Sequence, residues 1–123
     1  MPGSGAAGGL GGGLLAVGAH LVTGFDELSR RAHLSDVVSA ADLVVTGEGR
    51  LDETSFAGKV VGGVADLARE LYVPLLAVVG DTADDVRAPF PVVSLSARFG
   101  RARSLAAPLE CIELVVREAL ASH

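Results

Sequence analysis

Residues 46–59 gather Glu48, Asp52, Thr54, Ser55 and Lys59 around Gly47, Gly49 and Gly58, directly after the apolar run Leu43-Val44-Val45. An α/β sheet collects its ligands just past the carboxyl ends of its strands, which is where such a segment would stand. Gly47 and Gly49 allow a sharp turn and leave backbone N–H groups free to approach an anion. Thr54 or Ser55 can open the following helix, whose N-terminus favours phosphate. Lys59, near that helix start, can supply a point positive charge. Glu48 and Asp52 can hold a divalent cation or take a proton from a substrate hydroxyl. Taken singly, each residue has an ordinary use as solvated charge or helix cap. Taken together on one short segment, they point to phosphate chemistry. The segment is not a P-loop, because Gly58-Lys59 is followed by Val60 and position 53 is Glu rather than Gly.

A second glycine-rich segment opens the chain, Pro2-Gly3-Ser4-Gly5-Ala6-Ala7-Gly8-Gly9-Leu10-Gly11-Gly12-Gly13. Gly3, Gly5 and Gly8 satisfy G-x-G-x-x-G formally, but no strand precedes them, so the match lacks the context of a dinucleotide fingerprint. The residues read instead as a loop entering a helix over about 6–20. Each helical glycine costs roughly 1 kcal/mol against alanine, so this helix is expected to press its glycine face on another element.

The elements that must position these groups follow a regular order. Residues 42–46 read as a buried parallel strand. Phe56, Val60, Val64, Leu67 and Leu71 recur at helical spacing, and Pro74 precedes a second strand at 75–79. Residues 42–80 thus form a βαβ unit with a right-handed crossover, carrying the candidate loop 46–59. A third strand is expected at 92–96, although the ten residues between Gly80 and Pro91 are few for a parallel crossover. Upstream, Phe25-Asp26-Glu27-Leu28 and Leu34-Ser35-Asp36-Val37-Val38 begin two short helices, the second with Ser35 or Asp36 as its cap. A final helix over about 102–121 would bury Leu105, Leu109, Ile112, Val116 and Leu120, with Glu113 and Arg117 paired on its surface. The fold class is a single α/β domain, a parallel Rossmann-like (flavodoxin-like) sheet in three layers.

Composition supports that class and narrows the partners. The chain has 123 residues, 50% of them hydrophobic and 4% aromatic, enough for one core. A net charge of −5 with scattered Arg and Lys argues against nucleic acid. No apolar stretch of about 18 residues runs uninterrupted, and the start lacks a signal-peptide pattern, so a cytoplasmic protein with no membrane partner is expected. The single Cys111, set among Leu109, Ile112 and Val115, reads as a small buried hydrophobe. Asp81, Asp84 and Asp85 lack the spacing of a calcium loop and read as caps or solvated charge. His20, His33 and His123 show no ligand spacing to one another.

The glycine-rich start, Asp42 to Thr46, Gly47-Glu48-Gly49-Arg50-Leu51-Asp52 and Gly58-Lys59 together resemble consecutive signatures of the bacterial glycerate kinase family of the first type. The second motif is similar to T-G-E-G-x-x-D-x-Q-[ST]-x-x-G-K, with Thr54 standing where the family has Gln. Members of that family are longer, with two α/β domains and the active site in the cleft between them. This chain resembles their carboxyl-terminal part, so its fold is incomplete relative to theirs.

The resemblance implies ATP-dependent phosphorylation of D-glycerate with Mg²⁺, giving 2-phosphoglycerate in the commoner version. It places Gly3, Gly5, Gly8 and Gly9 in a glycine loop at the cleft, and Glu48, Asp52, Ser55 and Lys59 in a second loop facing it. By the same resemblance Asp52 is a base or metal-orienting carboxylate, Lys59 meets the transferring phosphate, and Glu48 supports metal or loop. Half a cleft makes an incomplete kinase, and the expected partner is a missing amino-terminal half or a homo-oligomer partner. A non-catalytic nucleotide- or anion-binding module acting with another chain is the competing reading. A dimerisation fragment whose glycine helix packs on a second subunit is a third.

Overall fold

The computed structural model describes residues 1–122, so His123 lies outside the described residues. Helices α1 (Ala6–Ala16), α2 (Gly24–Arg31) and α3 (Leu34–Ser39) precede strand β1 (Val44–Leu51). A 3₁₀ turn (Glu53–Phe56) and α4 (Val60–Glu70) lead to β2 (Leu75–Thr82) and β3 (Val92–Ser94). Helices α5 (Leu95–Phe99), α6 (Arg101–Ala106) and α7 (Pro108–Ala121) close the chain. The strands lie in the order β1-β2-β3, all parallel, with Thr46 opposite Ala77 and Val78 opposite Val93.

Two apolar cores make the three layers. On one face Leu51, Leu75, Ala77 and Val79 pack with Val61 and Ala68 of α4. On the other, Val78 packs with Leu95 of α5 and with Cys111 and Val115 of α7. Cys111 is the buried small hydrophobe its neighbours suggested, at 0% exposure.

Strand β1 is longer than its apolar run. Gly47 to Leu51, expected as loop, continue the ladder, with Glu48 opposite Val79 and Arg50 opposite Asp81. Gly47 serves close approach rather than a turn: a Cβ there would fall onto the Val78 carbonyl, and one on Gly80 of β2 would lie 2.5 Å from the Gly49 carbonyl, whereas one on Gly49 meets nothing. The chain leaves the sheet only at Asp52.

The link from β2 to β3 is parallel, yet it contains no helix. Its shortness is possible because Val86, Ala88 and Phe90 lay alternate side chains on the core beside α4. Phe90 also meets Phe56 at a ring separation of 5.9 Å. β3 ends at Ser94 rather than at residue 96, because the Ser94 hydroxyl accepts the Ala97 N–H at 3.3 Å and starts α5.

Helix faces differ from the spacing of large residues. α4 turns Val61, Gly62 and Ala68 inward and leaves Val60 exposed. Gly62 and Gly63 explain this choice, since the Phe56 backbone lies against the first and the Phe25 ring against the second. The expected last helix is broken at Ala107, before Pro108 at the first turn of α7. Its core face is Cys111 and Val115, while Leu105 and Leu109 of the expected buried stripe are 69% and 81% exposed. Glu113 and Arg117 do pair.

The amino-terminal helices are the least integrated. Thr23 caps α2 by accepting the Asp26 N–H at 3.1 Å. α3 is started by His33 in a left-handed conformation, not by Ser35 or Asp36. α1 forms from Ala6 as expected, but Ala7, Gly8 and Gly9 take left-handed angles that kink it. Its glycine face finds no other element: Gly11 and Gly12 pack on the backbone of Gly3 and Ser4, and Gly5, Gly8, Gly9 and Gly13 have open space. The expected pressing of α1 on a neighbour is therefore not met within this chain.

Candidate functional site

β1 delivers Glu48 near its carboxyl end, and the turn that follows is built around Asp52. The Asp52 carboxylate accepts the Thr54 N–H at 2.8 Å and the Thr54 hydroxyl at 2.6 Å. In return the Ser55 hydroxyl accepts the Asp52 N–H at 3.1 Å, completing a capping box. Ser55 is fully buried by this arrangement, so its hydroxyl belongs to the turn rather than to an open surface. The Thr54 hydroxyl bond first, then the backbone N–H of Thr54, the Lys59 charge and the backbone N–H of Ser55, hold the Asp52 carboxyl below its ordinary pKa, against an opposing desolvation second only to the hydroxyl bond.

Lys59 stands immediately before α4, and its ammonium donates to the Thr54 hydroxyl at 2.6 Å. Gly58 before it is left-handed, with φ of +69°, a conformation that suits glycine. The first N–H groups of α4 have no partners within the helix and no acidic residue occupies its first turn. The helix N-terminus, Lys59 and Gly58 together form a positive corner suited to an anion.

That corner opens on a cavity of about 900 Å³ lined by Thr46, Gly47, Glu48, Gly58, Lys59 and apolar residues of α2, α3 and α4. Glu48 Oε1 is buried at its wall without a hydrogen-bond partner. A buried carboxylate oxygen left bare is costly, and the ordinary compensation is a cation or donor from a ligand. At this cavity Glu48 is the carboxylate that could meet a magnesium ion held mainly by phosphates and water, whereas Asp52 does not line the cavity. Among the described residues no three acidic, histidine or cysteine side chains cluster as a self-sufficient metal site.

The structure thus brings Glu48, Gly47 and Lys59 to one cavity and ties Asp52 to Lys59 through Thr54. Gly49 follows in the strand and lines a second cavity, which Gly47 and Glu48 also border. Gly3, Gly5, Gly8 and Gly9 line neither cavity.

Asp81, expected as a cap or solvated charge, caps no helix and is half-buried. It ends β2 beside Arg50, and its carboxylate accepts the Ser96 hydroxyl at 2.6 Å, with Ser94 and Ser96 hydroxyls 3.1 Å apart. The Ser96 bond first, then the Thr82 N–H and the charges of Arg50 and Arg101, lower its pKa despite some desolvation. Its signal in the sequence was its place directly after Gly80, near the carboxyl end of β2 where ligands gather.

The model of the glycerate kinase family matches residues 1–113. The chain belongs to the glycerate kinase family. An uncharacterised protein of Mycobacterium tuberculosis is 48% identical over 84 residues, covering 68% of this chain and 22% of that protein. The glycerate 2-kinase of Escherichia coli K12 is 41% identical over 87 residues, covering 70% of this chain and 23% of the enzyme. A crystal structure assigned as glycerate kinase 2 from Salmonella typhimurium LT2 superposes with a TM-score of 0.54 at 32% identity, covering 95% of this chain and 34% of that one. The chain therefore spans about a quarter of the length of the curated relatives it matches. Among the described residues no helix is long and apolar enough to cross a membrane.

Proposed function

We propose that this chain supplies the carboxyl-terminal part of a cytoplasmic kinase that transfers phosphate from ATP to D-glycerate with Mg²⁺, yielding 2-phosphoglycerate. The observation that carries this reading is the unpartnered Glu48 Oε1 at a cavity shared with Lys59. A negative group awaiting a cation and a positive corner awaiting an anion are the complementary needs of a metal-bound phosphate.

The parts divide as follows. The α4 N-terminus and Lys59 receive the transferring phosphate, where fixed donors act on developing charge. Glu48 would hold Mg²⁺, which when bound neutralises phosphate charge. Asp52, kept ionised at neutral pH by Thr54 and Lys59, accepts the proton of the glycerate hydroxyl or orients the metal. Ser55 and Gly47 hold the backbone that presents these groups, and Gly49 permits close approach at the strand end. The segment with Gly3, Gly5, Gly8 and Gly9 would face this site from across a cleft completed by further polypeptide. Phosphoryl transfer depends on positioning both substrates, so this chain alone should be nearly inactive.

The test is to join the chain to the remaining portion of a family member and assay ATP- and Mg²⁺-dependent formation of phosphoglycerate. Formation above background supports the kinase. Nucleotide binding without phosphorylated glycerate supports instead a non-catalytic binding module, which the open flank of β1 would also suit.

A further inference from the structure

The parallel sheet stops at β1, and nothing among the described residues finishes it there. Val44 N–H donates to the Pro74 carbonyl, so Thr46 and Glu48 continue toward β2, and the alternate residues Val45 and Gly47 turn their N–H and C=O groups to the free edge. Parallel sheets are ordinarily covered on both faces, and long edges are blunted by proline, lysine or a covering loop. β1 has eight residues, Val-Val-Thr-Gly-Glu-Gly-Arg-Leu, with neither proline nor lysine.

Both faces beside this edge are open and apolar. On the α4 side lies the cavity of about 900 Å³, rimmed by exposed Leu28 and Val60. On the α7 side lies one of about 580 Å³, lined by Val45, Leu105 and Ile112, with Leu109 exposed close by in the chain. Leu105 of α6 and Leu109 of α7 are largely uncovered, and Ile112 of α7 is partly so. The sequence has written a core here that this chain does not complete.

We propose that the β1 edge and its two flanking grooves dock one further β-strand bearing a helix on each face, contributed by polypeptide equivalent to the part of a family member that this chain does not span. The length comparison supplies the occupant: 95% of this chain superposes on 34% of the Salmonella protein, leaving most of that fold to be placed against it. A second copy fits poorly. Its β1 edge carries the same two unfilled grooves, so pairing two β1 edges would set groove against groove and leave both unfilled. The inference concerns assembly and stands whatever the substrate.

The experiment co-expresses the 123-residue chain with E. coli glycerate 2-kinase from which the matching segment has been removed. Size-exclusion chromatography with light scattering is combined with hydrogen exchange at single amides. A one-to-one complex is expected, with exchange at Val45 and Gly47 slowed at least tenfold relative to the chain alone. Val45→Pro removes an N–H that faces the free edge and no bond to β2, so it should abolish the complex while the chain keeps its circular dichroism. Leu109→Glu, at an exposed position, should weaken the complex at least tenfold and covers the case in which the proline variant fails to fold. Absence of a complex overturns the proposal, as does a complex that leaves the Val45 and Gly47 amides unprotected. A homodimer of this chain that Val45→Pro dissolves also overturns it, in favour of a second copy.

Discussion

Lys59 reaches Asp52 through a single hydroxyl: its ammonium donates to Thr54 Oγ1 at 2.6 Å, and the same oxygen donates onward to Asp52 at 2.6 Å. The two charges are thus held in fixed relation without touching. Thr54 stands where the family resemblance leads one to expect Gln, and its hydroxyl both accepts from an ammonium and donates to a carboxylate. An amide can do the same with its carbonyl and its NH₂ group.

In the completed enzyme, Asp52→Asn and Lys59→Ala should each lower kcat by about 10²–10³, the range for losing one group that stabilises transition-state charge. Neither change removes apolar packing, so thermal midpoints should shift little. Steady-state assays beside calorimetry check the pair; full turnover in both variants would remove these residues from the catalytic role.

Thr54→Val removes the largest cause of the lowered Asp52 pKa and should raise its NMR titration midpoint toward the ordinary carboxylate range of about 3.9. The sign of the stability effect follows. A carboxyl with a lower pKa folded than unfolded contributes stability that is full above its unfolded value and lost as pH falls through its folded value. The gap between wild type and Thr54→Val should therefore be open above about pH 4 and narrow toward strong acid, as read by urea denaturation across pH. Thr54→Gln should restore activity where Thr54→Val does not.

Glu48→Leu should stabilise the protein while destroying its activity. Removing a bare buried oxygen relieves about 1 kcal/mol of desolvation, or roughly 4 °C in Tm for a chain of this size. Differential scanning calorimetry of the apo protein measures the gain. A fall in Tm would mean that Oε1 has a partner in solution, and the metal-holding role would lose its basis.

Gly47→Ala and Gly49→Ala separate packing from ligand approach. A Cβ at residue 47 meets the Val78 carbonyl, whereas one at residue 49 meets nothing. The first should cost about 3 kcal/mol by overpacking. The second should stay within about 0.5 kcal/mol. If Gly49→Ala nevertheless abolishes turnover at unchanged stability, its backbone approaches a ligand.

The sheet was legible because Leu43-Val44-Val45, Leu75 to Val79 and Val92-Val93 are short apolar runs with turn residues around them. The glycines of β1 hid its last residues, since Gly47 and Gly49 resemble a loop until β2 is laid against them. The faces of α4 and α7 were misjudged for a related reason. The sheet accepts Val61, Ala68, Cys111 and Val115 most closely; Phe56, Val64 and Val116 of the expected faces pack against them, while Val60, Leu105, Leu109 and Leu120 look outward. Spacing alone reports which residues seek burial, not whether this chain provides it. Glu48 and Lys59 were found from residue type, and their shared cavity follows from β1 running on through Glu48. Asp81 was missed because its partners, Ser96 and Arg50, lie far from it in sequence.

Cys111, the single thiol of the chain, is sealed completely beneath α7. A thiol reagent can reach it only when that helix lifts from the sheet. Labelling at low reagent concentration therefore reads the equilibrium of lifting, and the plateau rate at high concentration reads how often it happens. The molecule carries a native stopwatch for the detachment of one layer, and any partner that clamps α7 will slow it.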